Sequence, residues 1–347
     1  MNILLINLGV IKDMKKIIRY IVLLVIYLLL SFTGIYSIES GLPFSVIITI
    51  LPITSIIFSV LCISIDKPGF DEIALVASAT LFSIYAITGD IIAALNYLVY
   101  IAIFGTCIAT VYNRGKSVPL VIIGSGIISG IVSIVYIQIL STQGINVLGE
   151  YVDILKQAMN TVEDTLISAV QTSIDGKAPL YTPSQVEDFK VELNVLRQEM
   201  IEVCRIIFPA VVICTSLVMA CISGIITNAI CRIFGNKQLP KIRELLYFKI
   251  SPVGVLLLVL SMILSTMNTG AVVPIAALNI YIIMNLIFTF QGILSLLGLV
   301  VRSRFNIILK MLIVVIGATI IGSIPSAVVI FAVFDSMRNY KKAEVVI

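Results

Sequence analysis

The sequence predicts an all-α, polytopic transmembrane helix bundle of about nine spans, with an extracytoplasmic amphipathic helical hairpin. Three observations carry this. Of the 347 residues, 59% are hydrophobic and 12% charged, about half the charged share of a soluble domain. Mean hydropathy is +1.13, more apolar surface than a soluble core of this length absorbs. Apolar runs able to cross a hydrocarbon layer of ~30 Å recur along most of the chain. Soluble enzymes, secreted disulfide scaffolds and disordered tails are excluded.

The runs cover roughly 17–37, 43–65, 73–89, 91–112, 118–141, 206–231, 250–268, 272–301 and 307–334. The third and fourth are separated only by Gly89-Asp90, a pair that can form a hairpin dipping into the membrane. The last two are long enough to tilt or break, and Gly322 and Pro325 are the expected breakpoint in the ninth. The expected organisation is a five-span bundle over 14–141, an acidic helical hairpin over 142–203 and a four-span bundle over 204–343.

Orientation follows from the bases. Lys12, Lys15, Lys16 and Arg19 precede the first span, Arg114 and Lys116 follow the fourth, and Arg232, Lys237, Lys241, Arg243 and Lys249 separate the sixth from the seventh. Arg302 and Arg304 follow the eighth. A cytoplasmic N-terminus gathers all of these on one side of a bacterial plasma membrane. Arg338, Lys341 and Lys342 dissent, because nine crossings place them outside; either one run is re-entrant or these bases are an exception. Residues 1–11 are apolar but too short to span, and the base cluster after them argues against a signal peptide. Met14-Lys15-Lys16 has the look of a start, so residues 1–13 are expected to lie outside the translated protein, which mass spectrometry of the intact N-terminus decides.

Residues 142–203 hold ten acidic and four basic side chains, a net of −6. Leu148, Tyr151, Leu155, Met159, Val162, Leu166 and Val170 recur at steps of three and four, the pattern of an amphipathic helix. Asp175-Gly176 and Pro179 to Pro183 break it. Ser184 with Glu187 fits a capping box, and Val186, Phe189, Leu193, Leu196 and Met200 give a second helix its apolar stripe, running into the sixth span. The pair reads as a cap that packs its stripes together or lies on the membrane, or as a docking surface. Its acidity argues against anionic lipid and nucleic acid.

Catalytic signals are missing. There is no His and no Trp, which removes Ser–His dyads, His-based metal sites and imidazole relays. Gly115-Lys116-Ser117 ends like a phosphate-binding loop, but Thr110 stands where that loop needs Gly. The six cysteines (62, 107, 204, 214, 221, 231) form no CxxC pair and read as neutral thiols in apolar surroundings. No catalytic residue, metal or cofactor is expected, and the chain is not expected to be an enzyme. Any uphill transport would draw on an ion gradient or a separate ATPase subunit.

Polar groups inside spans remain as candidates, because burying them in lipid is costly. Asp90 ends a helix at an interface or forms a cation or proton site. The eighth span carries Asn279, Asn285 and Gln291, which at 100° per residue lie about 120° apart. A helix with amides on all sides cannot face lipid, so this helix is expected to be packed on several sides. Its amides either hydrogen-bond neighbouring helices or line a ligand cavity. Gly126 and Gly130 form a GxxxG stripe suited to close helix packing.

Phe208-Pro209-Ala210, Leu239-Pro240-Lys241-Ile242-Arg243-Glu244, Leu278-Asn279, Gln291-Gly292, Phe334-Asp335-Ser336 and the loop's Thr182-Pro183-Ser184-Gln185 stand in an order that resembles the YybS-like family of bacterial membrane proteins, over nearly all of 14–343. The N-terminal half is distantly similar to the substrate-binding subunits of energy-coupling-factor transporters, which implies binding of a vitamin-like molecule powered by separate ATPases. Two functions are expected from this: a small-molecule transport or substrate-binding subunit with Asn279, Asn285, Gln291 and Asp90 lining its cavity, or a non-transport scaffold or regulator of envelope or sporulation machinery, docking other envelope proteins.

Overall fold

The computed structural model describes residues 44–64, 70–89, 105–112, 117–142, 144, 146–174, 183–233, 241–267, 272–339 and 345–346, with scattered positions in 21–29 and 91–95. Asp90, the bases before residue 20 and the 175–182 break lie outside the described residues.

The described helices are α1 (Phe44–Ser64), α2 (Phe70–Thr88), α3 (Val118–Thr142), α4 (Val147–Ile174), α5 (Pro183–Ile233), α6 (Pro252–Ser265), α7 (Val272–Arg302), α8 (Ile307–Ser323) and α9 (Pro325–Asn339). A 3-10 turn over Ile242–Tyr247 leads into β1 (Phe248–Lys249), and β2 (Val345–Val346) closes the chain. Among the described residues, three helices are long and apolar enough to cross a membrane: Val118–Thr142, Glu187–Ile233 and Val272–Arg302.

Local chemistry sets the helix ends. Gly89 follows α2 with φ +66° and donates its N–H back to the Tyr85 carbonyl at 2.9 Å, a left-handed cap that other residues adopt only under strain. The eighth apolar run becomes α7 with nearly the expected bounds. The ninth is interrupted at Ile324, between Gly322 and Pro325, and Pro325 opens α9, where its missing N–H costs no helical bond. The seventh run gives only 14 helical residues, about 21 Å at 1.5 Å each. Helix α5 starts at Pro183, one residue before the expected cap Ser184, because proline suits a first helical position.

The chain divides into two compact units, one of residues 1–132, 213–260 and 283–347, the other of 133–212 and 261–282. In the first, Gly126 and Gly130 let α3 meet α5: a Cβ on either would sit 2.8 Å from the Cα of Leu217 or Ile213. The index sums of these two contacts are equal, so α3 and α5 run antiparallel. Tyr112 donates its hydroxyl to the Gly224 carbonyl at 2.9 Å, tying 105–112 to α5.

The 242–250 segment collects the other ends. Leu246 lies against Gly298 of α7, and the Arg302 guanidinium stacks 4.3 Å from the Tyr247 ring centroid. Strand β1 pairs in parallel with β2, Phe248 with Val345 and Lys249 with Val346. The C-terminal strand therefore lies beside the basic segment that precedes α6.

In the second unit, α4 and α5 touch at matched positions. Tyr151 and Phe208 rings are 5.2 Å apart, and Arg197 reaches Asn160 at 2.9 Å and Glu163 at 3.2 Å. The near-constant index sums show an antiparallel pair. Burial beside Phe208, and then the Cys204 sulfur, push the Tyr151 phenol up from its ordinary range.

Candidate functional site

Helix α7 carries the three candidate amides, and their surroundings differ. Asn279 sits opposite Pro209, which lies inside α5. Proline has no N–H for the carbonyl four residues back, and its ring presses on that carbonyl, which weakens the turn. The Ile206 carbonyl and the Ala210 N–H are a pair that an undisturbed helix joins directly. Here the Asn279 carboxamide bridges them. The Ala210 N–H donates to Asn279 Oδ1 at 2.8 Å, and Asn279 Nδ2 donates to the Ile206 carbonyl at 3.0 Å. A peptide-like group from α7 thus bonds both sides of the Pro209 turn within the continuous α5.

Gln291 is fully buried. Its Oε1 accepts from the Ile250 N–H at 3.2 Å and the Ser336 hydroxyl at 3.0 Å. Its Nε2 donates to Ser336 Oγ at 2.6 Å and the Ala332 carbonyl at 3.3 Å. One amide therefore joins α7, α9 and the residue after β1. The next residue permits this approach, since a Cβ on Gly292 would lie 2.6 Å from the Val328 carbonyl oxygen. From Ile283 to Gly298 no residue of α7 is exposed, whereas Val272, Val273, Ile275 and Ile280 in its first turns are, so the helix is covered along its second half only. Asn285 is half-buried, and among the described residues its side chain has no hydrogen-bond partner, while its backbone carbonyl accepts from Thr289 Oγ1 at 2.8 Å.

One turn beyond Gln291 lies a charge pair. Lys249 Nζ bonds the Asp335 carboxylate and donates to Ser295 Oγ at 2.8 Å. Both charged side chains are largely buried. Burial first, and then the Arg302 guanidinium, push the Lys249 ammonium down to about 8, against the pull of the carboxylate. Sequence patterning assigns Lys249 to a membrane-flanking loop and Asp335 to a water-seeking helix end. The available signal is weaker: an acid following an apolar run, with a base on a segment that enters another.

A cavity of about 190 Å³ lies between α3, α5 and α7 of the first unit, lined by apolar side chains including Ile122, Leu217, Cys221, Leu286 and Phe290. Asn279, Asn285 and Gln291 are not among its lining residues. Asp90 lies outside the described residues. Among the described residues no group of three or more His, Cys, Asp or Glu is placed to hold a metal ion.

The residues that carried the family resemblance meet pairwise. Pro209-Ala210 faces Asn279, Gln291-Gly292 faces Ser336 and the α9 backbone, and Asp335 holds Lys249. Chemically these are cross-helix ties: two carboxamides doing the work of peptide groups and one ion pair.

A family model described as "Predicted membrane protein (DUF2232)" matches residues 44–336. No curated protein and no solved structure matches the chain.

Proposed function

This chain belongs to the DUF2232 family of predicted membrane proteins, and on that premise we propose that it is a non-transport membrane scaffold that presents the 142–203 helical pair to another envelope protein. The observation that carries this is the pair's unspent apolar surface. Its helices meet around the Arg197–Glu163 ion pair, while Val162, Leu166, Leu196 and Met200 stay exposed. The two best-bonded amides of α7 are taken up in helix ties, which removes them as free ligand donors.

The topology that goes with this function has nine apolar runs in the plasma membrane with the N-terminus cytoplasmic. The pairing of β1 with β2 favours treating α8 and α9 as a re-entrant pair broken at Ile324. Arg338, Lys341 and Lys342 then join the other bases on the cytoplasmic side, and the acidic hairpin stands outside. The YybS-like resemblance fits this layout. No catalytic role or cofactor forms part of it.

A second reading, a small-molecule transport or substrate-binding subunit, draws support from the apolar cavity and from the distant likeness to energy-coupling-factor subunits. Isolation of the full chain from native membranes separates the two. Recovery of envelope proteins in stoichiometric amount supports the scaffold, and recovery of an ATPase pair supports transport and overturns it.

A further inference from the structure

The helical pair's open flank has a definite shape and border. Val162 and Leu166 stand one residue before and three after Glu163, and Leu196 and Met200 stand one before and three after Arg197. These equal offsets, at 100° per residue, turn both apolar pairs the same way from the shared ion pair. In antiparallel helices that sense opens toward a single side, so the four side chains form one ridge. Their exposures are 58, 42, 52 and 53%, whereas the Arg197 and Glu163 side chains are 26 and 16% exposed. The pair packs Tyr151 against Phe208, buries Val152 and Ile201 and closes on the ion pair, yet leaves the ridge of Val162, Leu166, Leu196 and Met200 uncovered, an apolar face that a finished two-helix cap would bury.

Charge says what covers the ridge. Glu192 and Glu199 stand four residues before and three after Leu196, the spacings that share a helix surface, and both are exposed. Lys156 and Lys190 each stand seven residues before a member of the ion pair, on the line of the contact rather than on the ridge. Among the described residues the ridge is therefore bordered by carboxylates without a base. A second copy of the chain would bring more carboxylates to the same seam. The bilayer is disfavoured too. Helix α5 has 51 residues, about 75 Å, and the apolar stretch from Pro209 already fills a layer of ~30 Å, which leaves the charged 183–208 half outside it.

We propose that this ridge is a docking site for an amphipathic helix of a partner protein whose apolar stripe is flanked by Lys or Arg. The inference rests on the scaffold reading and names its partner chemistry: Leu196, Met200, Val162 and Leu166 take the stripe, and Glu192 and Glu199 take the flanking cations.

The test uses the full chain in phosphatidylcholine nanodiscs and two labelled synthetic helices with the same leucine stripe, one flanked by Lys and one by Glu, with empty discs subtracted. The Lys helix should bind and the Glu helix should not. Leu196→Gln/Met200→Gln and Glu192→Gln/Glu199→Gln, all at exposed positions that leave folding intact, should each weaken binding about tenfold. Equal binding of both helices, or of neither, overturns the proposal. So does a two-chain disc population that Leu196→Gln/Met200→Gln abolishes, since the occupant is then a second copy. If the Lys helix fails while native isolation still recovers envelope proteins, the partner chemistry is wrong and the scaffold reading survives; recovery of an ATPase pair alone removes the scaffold itself.

Discussion

Replacing Asn279 by Leu tests the bridge across the Pro209 turn directly. The substitution keeps side-chain bulk and removes the bonds to the Ala210 N–H and the Ile206 carbonyl. Interhelical hydrogen bonds in membranes average ~0.6 kcal/mol, so two of them give about 1.2. Any failure of the 206–210 turn to close on itself adds up to ~1–3 kcal/mol for a buried group left unpaired. The expected loss is about 1–4 kcal/mol in the native background. Pro209→Ala relieves the weakened turn, because the helix regains an N–H at 209 and the ring no longer crowds the preceding carbonyls. In that background Asn279→Leu should cost less than half as much. The chain has no Trp, but Cys62 and Cys231 are buried, so unfolding in detergent can be followed by thiol labelling. If the two substitutions add within ~0.5 kcal/mol in this double-mutant cycle, Asn279 and Pro209 are not coupled and the bridge is wrong.

Other substitutions probe the remaining ties by the same labelling assay. Gln291→Leu removes four hydrogen bonds and should destabilise by about 2–4 kcal/mol, whereas Asn285→Leu, whose side chain has no partner among the described residues, should change stability by under ~0.5 kcal/mol. Lys249→Met removes the ammonium bonded to the largely buried Asp335 carboxylate and should cost about 3 kcal/mol, with Lys249→Met/Asp335→Leu restoring most of it; a double variant as unstable as the single one contradicts the pairing. Gly126→Val forces a side chain onto the α5 backbone at Leu217 and should cost about 1–3 kcal/mol. Gly124 has nothing within 4 Å of a would-be Cβ, so Gly124→Ala should be neutral or stabilise by up to ~1 kcal/mol.

Composition and periodicity determined that this chain is a helical membrane protein and where its major apolar helices lie. These are properties of single segments, set by the cost of burying polar groups and by the 3.6-residue repeat. The break at Ile324 was legible for the same reason, because Pro325 acts on its own helix. What joins one segment to another was not. A lone Asn and a lone Pro in separate apolar runs announce two local problems, and only the tertiary packing makes Asn279 the answer to Pro209. Lys249 and Asp335 each look like an ordinary span end until folding joins them across a separation of 86 positions. The pairing of β1 with β2 likewise brings Val345 and Val346 beside the segment before α6, a contact that counting bases does not reveal. Relative register between helices is chosen by close packing and by a few distant hydrogen bonds, and neither leaves a periodic mark on the chain.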